Sequence, residues 1–212
     1  MKPRKAPWRR PAPARDEDPG VTVMVAAGLV LCLLLAVSYL VLSQGPKRAA
    51  ATVDIGGAFD LVDQTGHRVT DRDLRGKPSL VAFGFTTCPD VCPTTLTHMT
   101  NWLRALGPAA DRLNVVYVSV DPDRDTPKVL GAYLSTFDPR IRGLTGSPAD
   151  IARIAHGYRV YYQKVPLAGG GYTVDHSATL YLMDAKGRFV RSLGFNQPDE
   201  VVVPALRRLV RG

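Results

Sequence analysis

The sequence predicts an α/β domain, with a central mixed sheet flanked by helices, that follows one N-terminal transmembrane helix. Residues 79–85 and 113–120 are continuous apolar runs, typical of strands buried on both faces. Between them, residues 94–106 repeat apolar side chains at helical spacing. The chain ends in a predicted hairpin and helix, so we expect helices on both faces of one sheet.

Composition excludes several other classes of protein. The chain has 212 residues, of which 45% are hydrophobic, so it is not expected to be disordered. Three cysteines are too few for a disulfide scaffold. The net charge of +8 is typical of nucleic-acid binding, but residues 49–212 carry 19 basic and 16 acidic side chains. Because residues 49–212 are nearly balanced and five of the eight excess positive charges lie in residues 1–48, no nucleic-acid partner is expected.

Residues 21–42 are uncharged and predict a membrane anchor. A helix of that length spans about 33 Å, which matches a bilayer core of about 30 Å. A cleaved signal peptide is the alternative, because residues 49–51 resemble a cleavage site, although its apolar region is normally shorter. A lipoprotein anchor is less consistent with this sequence, since Cys32 follows Leu31 in the middle of the apolar segment and not a small residue at its end.

Orientation follows from the flanking charges. Six basic residues precede the apolar segment and two follow it. Residues 1–20 should therefore form a basic cytoplasmic arm, with residues 43–53 as a linker and residues 54–212 as the folded domain. The domain would face the periplasm from the inner membrane, or the intermembrane space in a mitochondrion.

The remaining elements follow in chain order from alternation, apolar periodicity and turn residues. Thr126-Pro127 and Ser147-Pro148 each combine a helix cap with proline at the first helical position. We expect strands at 59–63, 68–70, 79–85, 113–120, 141–144, 160–164, 172–174, 178–183 and 189–193, and helices at 94–106, 126–137, 147–156 and 198–211.

A cysteine pair lies between the first buried strand and the helix after it. The motif is Cys88-Pro89-Asp90-Val91-Cys92-Pro93. A helix N-terminus favours thiolate over thiol, and two cysteines four apart can face one side. The pair could form a disulfide or, with one imidazole, bind Cu(I) or Zn(II). The CxxxC spacing differs from the CxxC of thiol oxidoreductases, and two incidental cysteines are a further alternative.

Four histidines could supply a third ligand, and their spacing alone does not decide between them. His67 lies in a predicted turn and is expected to be solvated. His98 lies on a helix face, and His156 at a helix C-terminus, where it meets the helix dipole favourably. His176 follows a glycine-rich loop that could carry it over the cysteine pair.

Three segments in this order resemble the SCO/SenC family of copper-binding proteins. They are residues 84–93 (GFTTCPDVCP), 118–127 (VSVDPDRDTP) and 174–177 (VDHS), and the resemblance extends over about residues 54–212. It implies a thioredoxin-like fold.

The same resemblance implies the site and its task. Cys88 and Cys92 would be the copper-binding and redox cysteines, and His176 the third ligand, for Cu(I), Cu(II) or both. The task would be to deliver copper to the binuclear copper site of a cytochrome c oxidase subunit, or to reduce its cysteines. Another copper donor protein is a possible partner.

Acidic residues beside these motifs are candidates for supporting roles. Asp175 could orient the imidazole through its second nitrogen, or simply complete a turn. Asp121 and Asp123 could position the loop near the cysteines, and Asp125 or Thr126 should cap the following helix.

Three functions remain open on the sequence, and with them the question of whether the protein is an enzyme. The first is a copper metallochaperone, supported by the two cysteines and the histidine. The second is a thiol–disulfide oxidoreductase, and the third a peroxide-handling or redox-sensing thioredoxin-like protein.

Overall fold

The computed structural model describes residues 19–43 and 55–211. The chain divides into two compact units, Met1–Thr52 and Val53–Gly212. Most of the predicted basic arm and nearly all of the predicted linker lie outside the described residues, so both stay predictions.

The described part of the first unit is helix α1, Pro19–Ser43. It covers the predicted anchor at 21–42, and its described side chains, at 23, 24 and 27–40, are all exposed. Within the described part of the chain, no helix is both long and apolar enough to cross a membrane.

The second unit is built on a seven-stranded mixed sheet. Its strands are β1 (Asp60–Asp63), β2 (Arg68–Thr70), β3 (Ser79–Gly84), β4 (Asn114–Ser119), β5 (Ile141–Thr145), β8 (Thr179–Met183) and β9 (Phe189–Gly194). They lie side by side in the order β2-β1-β5-β4-β3-β8-β9. β3, β4 and β5 are parallel to one another, whereas β1 and β8 join them antiparallel. The predicted mixed sheet is therefore confirmed.

Strand β3 lies near the middle of this sheet and is buried along its whole length. Its apolar sequence is the expected consequence, because a strand covered on both faces needs no polar alternation. β3 and β4 pair in register from Ser79 and Asn114 to Gly84 and Ser119. Their carboxyl ends therefore meet at one edge of the sheet.

Four helices complete the unit: α2 (Val91–Leu106), α3 (Pro127–Leu134), α4 (Pro148–Gly157) and α5 (Asp199–Leu209). α2 packs on α5, α3 on β5 and α4 on β1. The Thr126 and Ser147 side chains cap α3 and α4, as the cap-plus-proline pattern predicts. Strands β6 (Tyr162–Pro166) and β7 (Tyr172–His176) form a separate two-stranded hairpin.

Several element boundaries differ from the sequence prediction. α2 begins at Val91 and not near residue 94, so Cys92 and Pro93 belong to its first turn. α3 ends at Leu134 and not at 137, because the hydroxyls of Ser135 and Thr136 donate to backbone carbonyls of the preceding turn. Short 3-10 helices at Asp71–Leu74 and Gly107–Arg112 were not predicted.

The buried hydrophobic residues described in the chain all lie between Phe59 and Val210. The largest fully buried side chains are Trp102, Tyr117 and Phe85. The second unit thus completes a core from its own residues, and we expect Val53–Gly212 to fold without the segment before it.

One ion pair with a buried carboxylate predicts how the stability of this unit changes with pH. Asp138 is 9% exposed and accepts hydrogen bonds from Arg140 Nε (2.9 Å) and Nη2 (2.7 Å), which lower the pKa of its carboxyl group. Because the folded pKa lies below the unfolded one, the stabilisation is complete above the unfolded pKa and disappears as pH falls through the folded pKa.

We therefore expect Asp138→Asn to lower the free energy of unfolding by about 1–3 kcal/mol at neutral pH. The difference from wild type should shrink as the pH falls below about 4. Urea unfolding of residues 53–212 at several pH values measures both effects, with Glu200→Gln as an exposed-carboxylate control. A deficit independent of pH would contradict the role of the ion pair.

Candidate metal centre

Cys88 lies in the loop between β3 and α2, and its side chain contacts the first turn of α2. Its Sγ accepts a hydrogen bond of 3.4 Å from the backbone N–H of Cys92, in the first turn of α2. Free N–H groups at a helix N-terminus carry partial positive charge and stabilise a thiolate. The side chain is half-buried, so Cys88 is the more accessible of the two sulfurs.

Cys92 faces inward from α2 and is only 2% exposed. Burial raises the pKa of its thiol to about 12, although the Phe85 backbone and the nearby Tyr117 hydroxyl act in the opposite direction. The group is therefore a thiol at neutral pH. Both cysteines are free, so both sulfurs are available as ligands.

Gly84, the last residue of β3, makes room for Cys92 and Tyr117. A Cβ at position 84 would lie 2.3 Å from Tyr117 Oη and 2.7 Å from Cys92 Sγ. The Tyr117 hydroxyl is buried and has no hydrogen-bond partner within the described part of the chain. Its proximity to Cys92 nevertheless lowers the pKa of that thiol, so the hydroxyl is part of the sulfur's environment.

His176 is the last residue of β7, which pairs with β6 at Tyr162. Its Nε2 lies 3.5 Å from Cys92 Sγ, and its ring meets Phe85 edge-on with 5.6 Å between ring centroids. Burial lowers the pKa of His176, and the imidazole is therefore neutral at pH 7. A neutral imidazole offers a lone pair to a metal without losing a proton.

The second nitrogen of His176 does not use Asp175. Nδ1 lies 3.0 Å from the carbonyl oxygen of Ser177, which fixes the ring orientation. The Asp175 side chain is exposed and influences the ring only through its charge, which raises the pKa of His176. The Ser177 carbonyl, and not the Asp175 carboxylate, therefore orients the imidazole of His176.

The structure brings together the three residues that the resemblance selected. The ligand atoms of Cys88, Cys92 and His176 all lie within 4.8 Å of one another. Thiolate and imidazole ligands lie about 2.0–2.3 Å from a first-row metal, which places trigonal donors about 3.5–4 Å apart. The three side chains therefore fit one ion after a small contraction.

The other histidines have structural surroundings. His67 lies in the β1–β2 turn beside the Thr65 hydroxyl, 2.7 Å from Nδ1, with its side chain largely exposed. His98 stacks on Trp102 at 5.8 Å between centroids. His156 lies in the last turn of α4. His67, His98 and His156 thus lie in the turn, on the helix and at the helix C-terminus that were predicted for them.

Asp121 and Asp123 support the histidine-bearing hairpin. The Tyr172 hydroxyl donates to Asp121 Oδ1 at 2.8 Å, and Arg124 Nη1 donates to the Tyr172 carbonyl at 2.8 Å. The Arg124 guanidinium also lies 3.9 Å above the Tyr172 ring. Asp123 pairs with Lys164 of β6. We call these five residues the hairpin latch, because they join the loop after β4 to the β6–β7 hairpin.

Asp125 is a site-supporting residue whose contacts the sequence did not predict. It was considered as a helix cap, but Thr126 is the cap, with its hydroxyl 3.3 Å from Val129 N. The buried Asp125 carboxylate instead accepts hydrogen bonds from Thr86 N (3.0 Å), Thr86 Oγ1 (2.5 Å) and Ser119 Oγ (2.6 Å). It thereby fixes the loop that precedes Cys88.

Known proteins match this chain in sequence and in structure. The SCO1/SenC family profile matches residues 47–211. Protein sco1 of Schizosaccharomyces pombe is 39% identical over 173 residues, covering 78% of this chain and 66% of the relative. The SCO2-like protein of Rickettsia felis is 35% identical over 192 residues, covering 84% of this chain and 94% of the relative.

Among solved structures, Bradyrhizobium japonicum ScoI with copper bound is 51% identical, with a TM-score of 0.70. The match covers 73% of this chain and 99% of that one. It confirms the predicted thioredoxin-like α/β fold. The chain spans between 50% and 66% of the length of the first curated yeast and plant relatives that it matches.

The close packing at Gly84 predicts the effect of adding one methyl group. Gly84→Ala should displace Cys92 and Tyr117 and lower the free energy of unfolding by about 1–3 kcal/mol, since overpacking a dense core is destabilising. Gly169→Ala is the matched control, because a Cβ there meets nothing within 4 Å. Chemical unfolding of the metal-free protein measures the difference, and equal stability of the two variants would refute the packing constraint.

Proposed function

This chain belongs to the SCO1/SenC family, and from that premise we propose that it is a copper metallochaperone for the binuclear copper site of cytochrome c oxidase. Cys88, Cys92 and His176 hold the copper ion. The observation that carries the proposal is the convergence of three ligand atoms, from segments more than 80 residues apart, within 4.8 Å of one another.

The donor set favours copper over zinc. Two thiolates and one imidazole suit Cu(I), which accepts soft ligands. Structural zinc sites close with four protein ligands, and among the described residues this site has three. The copper-bound relative at 51% identity supports the same choice of metal.

Loading and release follow from the unequal exposure of the sulfurs. Because the pKa of Cys92 is raised to about 12, metal binding must displace its proton, and loading therefore releases protons. Cys88 is the more accessible sulfur, so an incoming partner thiolate would replace Cys88 first. This transfer exchanges ligands and needs no change in oxidation state.

The alternative function is a thiol–disulfide oxidoreductase that reduces the cysteines of the same oxidase site. The geometry that favours it is an accessible Cys88 at a helix N-terminus beside a buried Cys92, which suits an attacking and a resolving thiol. Cys88 would attack the partner's disulfide, and Cys92 would then release the reduced partner as the Cys88–Cys92 disulfide forms. Copper needs both sulfurs reduced, so the two functions exclude each other at any one moment.

We extend the proposal to the location of the domain. Residues 21–42 would anchor it at the inner membrane, with the metal centre on the periplasmic side, or in the intermembrane space of a mitochondrion. The uncharged 22-residue segment and the basic flank before it support this placement.

Copper titration tests the ligand set. Cu(I) is added to reduced residues 53–212 in competition with a chelator, for wild type, His176→Ala and the matched control His98→Ala. We expect His176→Ala to weaken binding by about 100-fold or more, since loss of an outer-shell partner alone costs 10–100-fold. His98→Ala should bind like wild type.

Equal affinity of wild type and His176→Ala would remove His176 from the site. Weak copper binding by wild type, together with reduction of a partner disulfide that does not depend on His176, would establish the oxidoreductase instead.

The anchor has a separate test. The full chain, expressed in a bacterium, should stay in the membrane pellet after extraction with alkaline carbonate, whereas a chain lacking residues 21–42 should become soluble. Release of the full chain into the supernatant would contradict the anchor and leave the copper proposal unaffected.

A further inference from the structure

A groove of about 810 Å³ lies at the end of the domain remote from the metal centre. We call it the basal groove. It is formed by the segment before β3, the turn between β8 and β9, and the last turns of α5. The metal centre lies beyond the carboxyl end of β3, so the basal groove and the cysteines occupy opposite ends of the central strands.

The rim of the basal groove is strongly basic. Its charged lining residues are six cations and one acid: Lys77, Arg112, Lys186, Arg188, Arg191, Arg208 and Asp184. Arg188 pairs with Asp184, and Lys77 donates to the backbone carbonyl of Asp111. The other four cations have no side-chain partner within the described residues. Residues 49–212 as a whole carry nearly equal numbers of basic and acidic residues, so this concentration is local.

The floor of the basal groove is apolar. Leu182, Ala205 and Val210 are buried beneath it, whereas Val190 of the edge strand β9 is 48% exposed. A free inorganic anion would satisfy the rim but leave the exposed Val190 side chain in contact with water. A ligand that satisfies both parts carries negative charge beside hydrocarbon.

The domain also begins beside the basal groove. Gly56 lies against the Met183 side chain at the start of the β8–β9 turn, and a Cβ there would be 2.9 Å from Met183 Cε. Gly76 N–H donates to the Ala185 carbonyl of the same turn at 2.8 Å. The first described residues of this unit thus lie beside the β8–β9 turn that forms one wall of the basal groove.

We propose that the basal groove docks on an anionic phospholipid bilayer. Its cations would contact lipid phosphates, and the exposed Val190 side chain would lie at the boundary between headgroups and acyl chains. Docking by this end turns the metal centre away from the lipid, toward the aqueous phase. The inference goes beyond the proposed copper chemistry and does not depend on it.

The test uses residues 53–212, which contain a complete core, and measures co-sedimentation with vesicles. The two vesicle types are phosphatidylcholine alone and phosphatidylcholine mixed with phosphatidylglycerol. We expect binding only to the mixed vesicles. The double variant Arg191→Gln/Arg208→Gln should reduce the partition coefficient by about 30-fold. Each basic residue near an anionic surface raises membrane partitioning by roughly five-fold, and the variant removes two of them.

A matched control separates the groove from net charge. Lys128→Gln/Arg159→Gln removes the same charge from two exposed residues outside the groove, and it should bind like wild type. Val190→Ser should also weaken binding, because it removes apolar surface without changing charge. Equal loss in the two double variants, equal binding to both vesicle types or absence of binding by wild type would each overturn the proposal.

Discussion

The geometry of the cysteine loop depends on the buried carboxylate of Asp125. A buried carboxylate is costly unless hydrogen-bond donors surround it, and here Thr86 and Ser119 provide three. Thr86 stands two residues before Cys88, while Ser119 ends the neighbouring strand. The hydrogen bonds of this one carboxylate therefore connect the end of β4 to the loop that follows β3. They hold Cys88 in a fixed position before α2.

The other side of the site depends on the hairpin latch. Tyr172 is its centre, because its hydroxyl, its carbonyl and its ring face are all used by the loop after β4. Tyr172 begins the strand that His176 ends. The two acids of the latch, Asp121 and Asp123, thus act on the candidate ligand His176 through the hairpin and not by direct contact.

Local patterns in the sequence were enough to predict the sheet, most of the helices and the cysteine pair. Apolar runs and apolar periodicity indicate which residues are buried in a strand or on one face of a helix. The bounds predicted for β3, β4 and α2 are therefore close to those observed. The choice of His176 needed the family resemblance, because no local pattern joins it to Cys92, 84 residues earlier. The contacts of Asp125 and Tyr117 were missed for the same reason: a contact between distant segments leaves no periodic signal in either.

The separation of β6 and β7 from the main sheet has a consequence for how an ion could leave. This hairpin shares no strand ladder with the seven-stranded sheet, so an outward displacement would break the contacts of the hairpin latch but none of the ladder hydrogen bonds of the main sheet. Such hinge motions of small elements take microseconds to milliseconds, far faster than global unfolding. If the chain carries an ion as proposed, displacement of this hairpin would move the imidazole while both sulfurs stay on α2 and the loop before it.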